Sequence, residues 1–455
     1  MNPDFSPSIF KSYDVRGVYP TDFNEEIAAK ITKAYVKFFK PKKVVLGRDV
    51  RESGESLFNA ILKVFVDAGV DVLDIGVVST DEFYFAVGNN DVYGGITVSA
   101  SHNPREYNGM NFCKRDAEPI SGETGLSEMK ELILNDNYQV PDAVVPGQVT
   151  KISVRDDFIK RSIAFIDPGL LKPMKIVANA NFGVDYLILK RAIEMFNLPL
   201  TVVPLNEQPD GTFPKGAPNP LLPENRTETL GLIKKENADL GVSWDADGDR
   251  CFFADENGNF IEGYFITAIL AKEILKKNPG EKVVIDPRLI WATTDEIKNS
   301  GGIPIISKPG MTVIAARMKL ENAIFAGEMS SHFYFRDNFY RDNGLIPLFL
   351  VLEMLSKYNT TLSKLAYPYI SKYFSPGEIN FETERKDEII KMAEQKYHDG
   401  KIEHIDGLSV EYADWRFNLR RSNTEPLLRL NLEARSEELQ KQKTEEMIEF
   451  IKTNS

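Results

Sequence analysis

Strand-like runs alternate with helical runs through most of this chain, and that alternation is what most constrains its fold. The runs at 174–180 and 200–205 flank a helical segment at 185–196, and a similar order of elements recurs before and after them. Such alternation predicts α/β architecture with mixed sheets. From about residue 370 the pattern changes to strand, helix, two strands and helix, which is typical of a small α+β domain.

The chain length predicts several domains. Its 455 residues exceed what one hydrophobic core supports, because single cores stop growing at about 250–300 residues. We therefore predict three related α/β domains and a smaller C-terminal α+β domain. The predicted ranges are 1–148 with a serine loop, 149–254 with an aspartate loop, 255–369 with a loop around Glu328, and 370–455 with an arginine loop.

The composition disfavours several classes of function. No segment approaches the roughly 18 apolar residues that span a bilayer, and the N-terminus lacks the pattern of a secretory signal, so we expect a cytoplasmic protein without a membrane role. A net charge of −12 disfavours nucleic-acid binding. Cys113 and Cys251 are too few for a disulfide framework and are interpreted as reduced packing residues.

The loop at 97–104, with the sequence TVSASHNP, follows a predicted strand and contains a candidate nucleophile. A serine hydroxyl needs an adjacent base or a polarised electrophile, and His102 is adjacent to Ser101. The alternative is a polar turn closed by Asn-Pro. The loop alone does not decide between the two.

Asp245, Asp247 and Asp249 alternate along a loop that ends at Arg250. Carboxylates this close repel one another unless a cation lies among them, and Gly248 lets the backbone bring them together. Hard oxygen ligands select Mg²⁺ or Ca²⁺. A calcium EF-hand is one alternative, although Arg250 occupies the position of its required glycine. An exposed acidic turn without a metal is the other.

Two further loops carry groups suited to a sugar and to a phosphate. The loop at 327–332 offers Glu328 and Ser330 to sugar hydroxyls, and His332 is a possible proton carrier. The segment at 420–429, with the sequence RRSNTEPLLR, combines guanidinium forks, hydroxyls and turn N–H groups able to bind one phosphate. Surface salt bridges are the alternative for its arginines.

Taken together and in this order, these loops resemble those of the α-D-phosphohexomutase family over essentially the whole chain. The resemblance implies four domains around a central cleft, and an intramolecular phosphotransferase of the isomerase class. It also implies a phosphosugar substrate, a Mg²⁺ ion and hexose 1,6-bisphosphate as activator, with the protein a monomer or weak homodimer.

The resemblance also implies roles for individual residues. Ser101 matches the serine that carries the phosphoryl group, and it completes the Mg²⁺ site formed by Asp245, Asp247 and Asp249. The further catalytic residues that it implies are His102, Arg16, Arg250 and His332. The substrate-binding residues that it implies are Tyr13, Lys308, Glu328, Ser330, Arg420, Ser422, Asn423, Thr424 and Arg429.

The substrate expected from the resemblance is mannose phosphate. Met329 favours a neutral hexose over glucosamine, and the segments at 108–113, 120–125 and 414–420 look like the bacterial members that supply GDP-mannose synthesis. We therefore expect interconversion of mannose 6-phosphate and mannose 1-phosphate through a phosphoserine and a hexose 1,6-bisphosphate. The alternatives are a phosphoglucomutase, a dual-specificity hexomutase, or a phosphosugar-binding paralogue with little activity.

Two departures from the family pattern support the last alternative. The chain has Asn111 where the family usually has a lysine, and Met311 where it usually has a histidine. Lys114 does not replace the lysine, because it lies an odd number of residues away on a predicted strand and therefore faces the other side.

Overall fold

The computed structural model describes residues 6–422 and 427–455. The chain forms two compact units, the first comprising Met1–Phe260 and Phe333–Asn359, and the second Ile261–His332 and Thr360–Ser455. Among the described residues, no helix has both the length and the hydropathy needed to cross a bilayer.

The first unit begins with a six-stranded mixed sheet in the order β1-β5-β4-β2-β3-β6. Strands β2, β3, β4 and β6 are parallel, and β5 runs antiparallel to β4 and β1. The strands are β1 (Val15–Val18), β2 (Lys43–Arg48), β3 (Asp71–Val77), β4 (Gly94–Val98), β5 (Tyr107–Lys114) and β6 (Val149–Lys151). The helices are α1 (Glu25–Phe39), α2 (Gly54–Asp67), α3 (Thr80–Asn89) and α4 (Ser127–Leu134).

A second sheet follows in the same unit. Its strands β7, β8 and β9 are parallel, and β10 pairs with β9 in antiparallel fashion. The strands are β7 (Met174–Asn179), β8 (Leu200–Leu205), β9 (Leu240–Trp244), β10 (Cys251–Ala254) and β11 (Phe260–Ile261). The helices are α5 (Arg155–Ile163), α6 (Asp185–Phe196) and α7 (Thr227–Glu236).

The second unit opens with three parallel strands in the order β13-β12-β14. The elements are α8 (Gly263–Lys277), β12 (Lys282–Ile285), α9 (Trp291–Asn299), β13 (Ile303–Ile306), α10 (Met311–Glu321) and β14 (Phe325–Gly327). The chain then returns to the first unit with β15 (Phe333–Phe335), β16 (Arg341–Asp342) and α11 (Ile346–Tyr358).

The C-terminal part of the second unit is an antiparallel sheet in the order β17-β21-β20-β19-β18. Its apolar side chains alternate along β20 and β21, and they pack against α13 and α14. The elements are α12 (Leu362–Ile370), β17 (Ile379–Glu382), α13 (Lys386–Lys396), β18 (Lys401–Glu403), β19 (Leu408–Glu411), β20 (Trp415–Arg421), β21 (Leu427–Ala434) and α14 (Glu437–Asn454).

The predicted fold class is confirmed, with one correction in the C-terminal domain. The sequence pattern predicted two strands between its helices, whereas four lie between α13 and α14. The two additional strands are short, since β18 and β19 span only three and four residues, and so brief a segment gives a weak strand pattern.

Candidate active site

Ser101 lies in the loop that follows β4. That strand is buried along its whole length, so the loop leaves a firmly packed sheet edge. Ser101 is 6% exposed and has a left-handed backbone conformation, with φ of 48°, which costs a non-glycine residue free energy. Its Oγ lies 3.2 Å from Asp245 Oδ2 and 3.0 Å from His102 Nδ1. The candidate nucleophile is thus held against a carboxylate of the aspartate loop.

Arg51 fixes the shape of the serine loop, a role that the sequence did not reveal. Its side chain is fully buried and donates from Nη2 to the carbonyl oxygens of Ser101 and Asn103, each at 2.7 Å. Nη1 donates to the carbonyls of Pro104 and Tyr107 at 2.8 and 3.0 Å. Because the guanidinium binds backbone atoms on both sides of Asn103, the loop is fixed independently of its side chains.

The three aspartates converge in the turn between β9 and β10. Asp245, Asp247 and Asp249 are 0%, 1% and 4% exposed, and one carboxylate oxygen from each lies within 4.8 Å of the others. This burial is incompatible with an exposed acidic turn. The flanking elements are strands, which is incompatible with the helices of an EF-hand.

The carboxylates fit a hard divalent cation such as Mg²⁺. Asp247 Oδ2 accepts hydrogen bonds from Thr80 Oγ1 at 2.7 Å and Ser99 Oγ at 3.2 Å. Its Oδ1 is buried and has no hydrogen-bond partner within residues 6–422 and 427–455. Burial, reinforced by Asp247 and Asp245, raises the pKa of Asp249 well above its usual value. Such a cluster is stabilised by taking up a proton or a cation.

Gly248 allows the aspartate loop to fold back on itself. Its φ is 76°, and a Cβ atom at this position would lie 2.2 Å from Asp185 Oδ1. Asp185, the first residue of α6, is buried beneath the loop. Burial, together with Asp81 and Asp245, raises the pKa of the Asp185 carboxyl well above its usual value. Both the backbone angle and this close approach therefore require glycine at position 248.

Arg250 and His102 connect the two loops. Arg250 Nε lies 3.3 Å from Asp245 Oδ2, and its Nη2 lies 2.9 Å from His102 Nδ1. A guanidinium can only donate, so Nδ1 of His102 is the acceptor and its ring proton lies on Nε2. Ser101 Oγ shares this nitrogen with Arg250. His102 thereby links the serine hydroxyl to a cation.

Arg16 brings a third guanidinium to the serine loop, after Arg51 and Arg250. It donates from Nη1 to Asn103 Oδ1 at 2.5 Å and from Nη2 to Asp14 Oδ2 at 2.6 Å. Tyr13 precedes β1 and lies half-buried in the same segment. The structure therefore brings Arg16, Ser101, His102, Arg250 and the three aspartates together within the first unit.

The surroundings of Asn111 and Lys114 bear on the expectation that Lys114 does not replace a lysine at position 111. Asn111 is buried on β5 opposite Thr97. The ammonium group of Lys114 lies 5.9 Å from the centre of the Phe39 ring, in the packing of the N-terminal sheet on its helix. Lys114 therefore does not supply a cation at position 111.

The loop around Glu328 forms a polar cluster in the second unit. Glu328 is buried, and its Oε1 accepts a hydrogen bond from Gly310 N at 2.9 Å. His332 Nδ1 lies 3.0 Å from Ser330 Oγ and 3.3 Å from Glu328 Oε2. Lys308 is exposed on the connection that also carries Gly310. The predicted sugar-binding residues are therefore grouped within one unit.

Asp286 and Arg288 support this loop, and the sequence interpretation missed them. Both are buried, and they form a bidentate pair with N–O distances of 3.0 and 2.8 Å. Asp286 Oδ2 also accepts a hydrogen bond from Met329 N at 2.7 Å. The available signal was their position directly after β12, where ligands of open α/β sheets usually bind.

Arg420 and Arg429 face each other across the β20–β21 pair. Like charges at such positions repel, and Glu378 lies between them, 3.1 Å from Arg420 Nη2 and 3.2 Å from Arg429 Nη1. Ser422 follows β20 and donates from its backbone N to Leu427 O at 2.8 Å. The two remaining predicted phosphate-binding residues, Asn423 and Thr424, lie outside the described residues.

Four family models match the chain in succession. They are described as alpha/beta/alpha domains I, II and III and the C-terminal domain of phosphoglucomutase/phosphomannomutase, and they match residues 7–139, 157–258, 262–373 and 378–450. The chain therefore belongs to the phosphoglucomutase/phosphomannomutase family, which confirms the family predicted from its loops. It is a phosphohexomutase, an intramolecular phosphotransferase of the isomerase class.

Relatives and solved structures match over nearly the full length. A phosphomannomutase of Vibrio cholerae is 43% identical, covering 97% of this chain and 98% of that protein. Phosphohexose mutases of Xanthomonas campestris are 41% identical, covering 94% and 95%. A phosphoglucomutase/phosphomannomutase family protein from Burkholderia thailandensis is 30% identical with a TM-score of 0.88, covering 99% of this chain and 98% of that one.

Proposed function

We propose that this phosphohexomutase interconverts mannose 6-phosphate and mannose 1-phosphate through a phosphoserine at Ser101 and a hexose 1,6-bisphosphate intermediate. The observation that carries the proposal is the position of Ser101 Oγ, 3.2 Å from Asp245 in a buried cluster of three aspartates. A serine beside a site for a divalent cation suits phosphoryl transfer, which depends on positioning and charge stabilisation.

Asp245, Asp247 and Asp249 would hold Mg²⁺, and an oxygen of the Ser101 phosphoryl group would complete the ligand set. When bound, the ion neutralises charge that develops on the transferring group. Arg16 and Arg250 would add donors on the protein side, since both already contact the serine loop or its histidine. His102, whose Nδ1 lies between the Ser101 hydroxyl and Arg250, would orient that hydroxyl.

The remaining residues would bind the rest of the substrate. Glu328 and Ser330 would read the sugar hydroxyls, with His332 as a general acid or base, and Tyr13 and Lys308 would make further substrate contacts. The nontransferred phosphate would bind at the arginine loop through Arg420, Ser422, Asn423, Thr424 and Arg429. With one phosphoserine and one such loop, the bisphosphorylated intermediate must turn around before the second transfer.

We also propose the domain boundaries of this enzyme, its cellular location, its activator and its oligomeric state. The domains are those expected from the sequence, 1–148, 149–254, 255–369 and 370–455. The proposed enzyme is cytoplasmic, is activated by hexose 1,6-bisphosphate and acts in the synthesis of GDP-mannose as a monomer or weak homodimer.

Mannose specificity is supported by the similarity to phosphomannomutases such as that of Vibrio cholerae. The Xanthomonas campestris relatives carry the broader description of phosphohexose mutases, which favours dual specificity as the second candidate. Comparison of kcat/KM for mannose and glucose phosphates separates the two, because specificity is a ratio of these values.

The test uses purified full-length protein with mannose 1-phosphate, Mg²⁺ and a catalytic amount of glucose 1,6-bisphosphate. Mannose 6-phosphate should form, and activity should fall when the ion is chelated. Absence of turnover with both mannose 1-phosphate and glucose 1-phosphate would contradict the proposal and favour a phosphosugar-binding protein.

A further inference from the structure

Glu378 already lies where the two arginines of the phosphate site converge. It directly precedes β17, and its carboxylate is 19% exposed. Oε2 lies 3.1 Å from Arg420 Nη2 and Oε1 lies 3.2 Å from Arg429 Nη1. Asn431 Nδ2 also donates to Oε2 at 3.2 Å. Two anionic oxygens that each bind a different guanidinium reproduce the contacts that a phosphate would make.

The charges around this position are balanced. Arg288, Arg420 and Arg429 all act on Glu378 and lower the pKa of its carboxyl, although burial alone would raise it. Glu378 is therefore ionised at neutral pH. The other two carboxylates of the group are Asp286, which pairs with Arg288 at 2.8 Å, and Asp406, which lies 3.6 Å from Arg420 Nε.

These three carboxylates offset Arg288, Arg420 and Arg429, while Glu328 also lies 3.9 Å from Arg288 Nη2 and Lys308 acts on Asp406. Removing the charge of Glu378 makes the surroundings of an entering phosphate more positive by one unit. Arg420 is buried, and burial together with the nearby charge of Arg288 lowers its pKa. A resident anion thus stabilises the closely spaced arginines whenever phosphate is absent.

We propose that Glu378 is a resident counter-anion that competes with the substrate's nontransferred phosphate for Arg420 and Arg429, and so weakens the binding of that phosphate. This rests on the proposed function, in which these arginines hold the phosphate. Weakened binding suits an intermediate that must leave this position and turn around. Tight binding that is equal in the ground state and transition state does not raise the catalytic rate.

The test is the affinity of the full-length protein for inorganic phosphate, measured by calorimetry. Glu378→Gln retains the size of the side chain and removes its charge. We expect it to bind phosphate roughly tenfold more tightly, because a unit charge at this distance has a large effect where solvent is partly excluded. Glu378→Asp keeps the charge and should change the affinity less. Glu382→Gln, at an exposed position on the same strand, is the matched control and should leave it unchanged.

A double-mutant cycle assigns the effect to this site, since phosphate could also bind near Ser101. In the background of Arg420→Met, the gain from Glu378→Gln should largely disappear. Unchanged or weaker phosphate binding by Glu378→Gln would overturn the proposal, and so would a gain that persists in the Arg420→Met background. Melting curves of each variant verify that it is folded.

Steady-state kinetics give a second readout. Glu378→Gln should lower both KM and kcat for mannose 1-phosphate, because the phosphate is held more tightly and released more slowly, whereas general damage to the site would raise KM. A raised KM would overturn the proposal. If the protein has no mutase activity, the phosphate titration still tests the role of Glu378, so failure of the proposed function and failure of this inference remain distinguishable.

Discussion

The aspartate site of the first unit and the arginine site of the second unit use opposite electrostatic arrangements. In the first, three buried carboxylates lie within 4.8 Å of one another, and repulsion among them favours uptake of a cation. In the second, Arg420 and Arg429 already share the carboxylate of Glu378. The first site is therefore built to bind an added charge, whereas the second must exchange one anion for another.

The largest effect should come from removing the proposed nucleophile. Ser101→Ala should abolish incorporation of phosphate into the protein and lower mutase activity by at least about a thousandfold, because no other group provides the covalent intermediate. Intact-mass spectrometry after incubation with glucose 1,6-bisphosphate measures the phosphorylation. The control is Ser127→Ala, at an exposed position on α4. Phosphorylation that persists in Ser101→Ala would mean that another residue is the nucleophile.

The next effect tests whether the aspartate site requires an added cation. Asp247→Asn should weaken Mg²⁺ binding by about a hundredfold, since it removes one charged ligand from the set. The same change should stabilise the metal-free protein by about 1–2 kcal/mol, because it relieves repulsion between buried carboxylates.

Calorimetric Mg²⁺ titration and thermal unfolding in a chelator measure these two effects. A purely structural role for Asp247 would lower the metal-free stability instead. Glu378→Gln should leave Mg²⁺ binding unchanged, which keeps the two sites separate in the comparison.

When metal is absent, the first unit should lose stability as the pH rises from about 5 to 8, a range over which the contribution of Glu378 to the second unit does not change. Burial raises the pKa of Asp81 to about 8, whereas an unfolded aspartate titrates near about 3.9. The folded first unit therefore binds more protons than the unfolded chain between these values, and its stability should fall as the pH rises from about 4 to 8. The pKa of Glu378 is lowered in the folded protein. Its contribution to stability is therefore present above the ordinary pKa of a glutamate and is lost as the pH falls through the lowered pKa of the folded state.

Hydrogen exchange at pH 5 and pH 8, corrected for intrinsic rates, measures the stability of each unit in the metal-free protein. Peptides of the first unit should be less protected at pH 8, and Mg²⁺ should restore their protection. Equal loss of protection in both units at pH 8 would contradict the contrast between them.

The last prediction concerns the backbone of the aspartate loop. Gly248→Ala should destabilise the protein by about 1–3 kcal/mol, because φ is 76° and the new Cβ would collide with Asp185. Gly231→Ala on α7, where nothing lies within 4 Å of a Cβ atom, is the matched control and should stabilise by about 0.5–1 kcal/mol. Thermal unfolding compares the pair, and equal effects would show that the loop is not sterically restricted.

Strong local patterns allowed much of the fold to be predicted. The helix Asp185–Phe196 and the strand Leu200–Leu205 have the bounds expected from the sequence, because the first has apolar residues at helical spacing and the second is a short run rich in apolar and β-branched residues. The short strands β18 and β19 escaped prediction because each offers too few residues to show a period. Asn181 has a φ of 44°, a conformation that asparagine tolerates better than most residues.

The sequence predicted those residues of the candidate site that lie within recognisable motifs. Ser101 and Asp245 lie in recognisable loops, but their 3.2 Å contact joins positions 144 residues apart. Asp185 and Glu378 belong to none of the predicted site motifs, and they matter because the fold brings them to those motifs. Their importance depends on tertiary contacts, which the local pattern around each residue does not contain.

The return of the chain to the first unit at Phe333 has a consequence for synthesis on the ribosome. Trp244, at the base of the aspartate loop, donates from Nε1 to the carbonyl of Gly344, which lies 100 residues later, at 2.9 Å. At about 5–20 residues per second, translation needs roughly 5–20 s to supply that partner. During synthesis the aspartate loop therefore lacks this hydrogen bond until the segment after 261–332, which belongs to the other unit, has emerged. A fragment ending at Phe260 would lack the bond permanently.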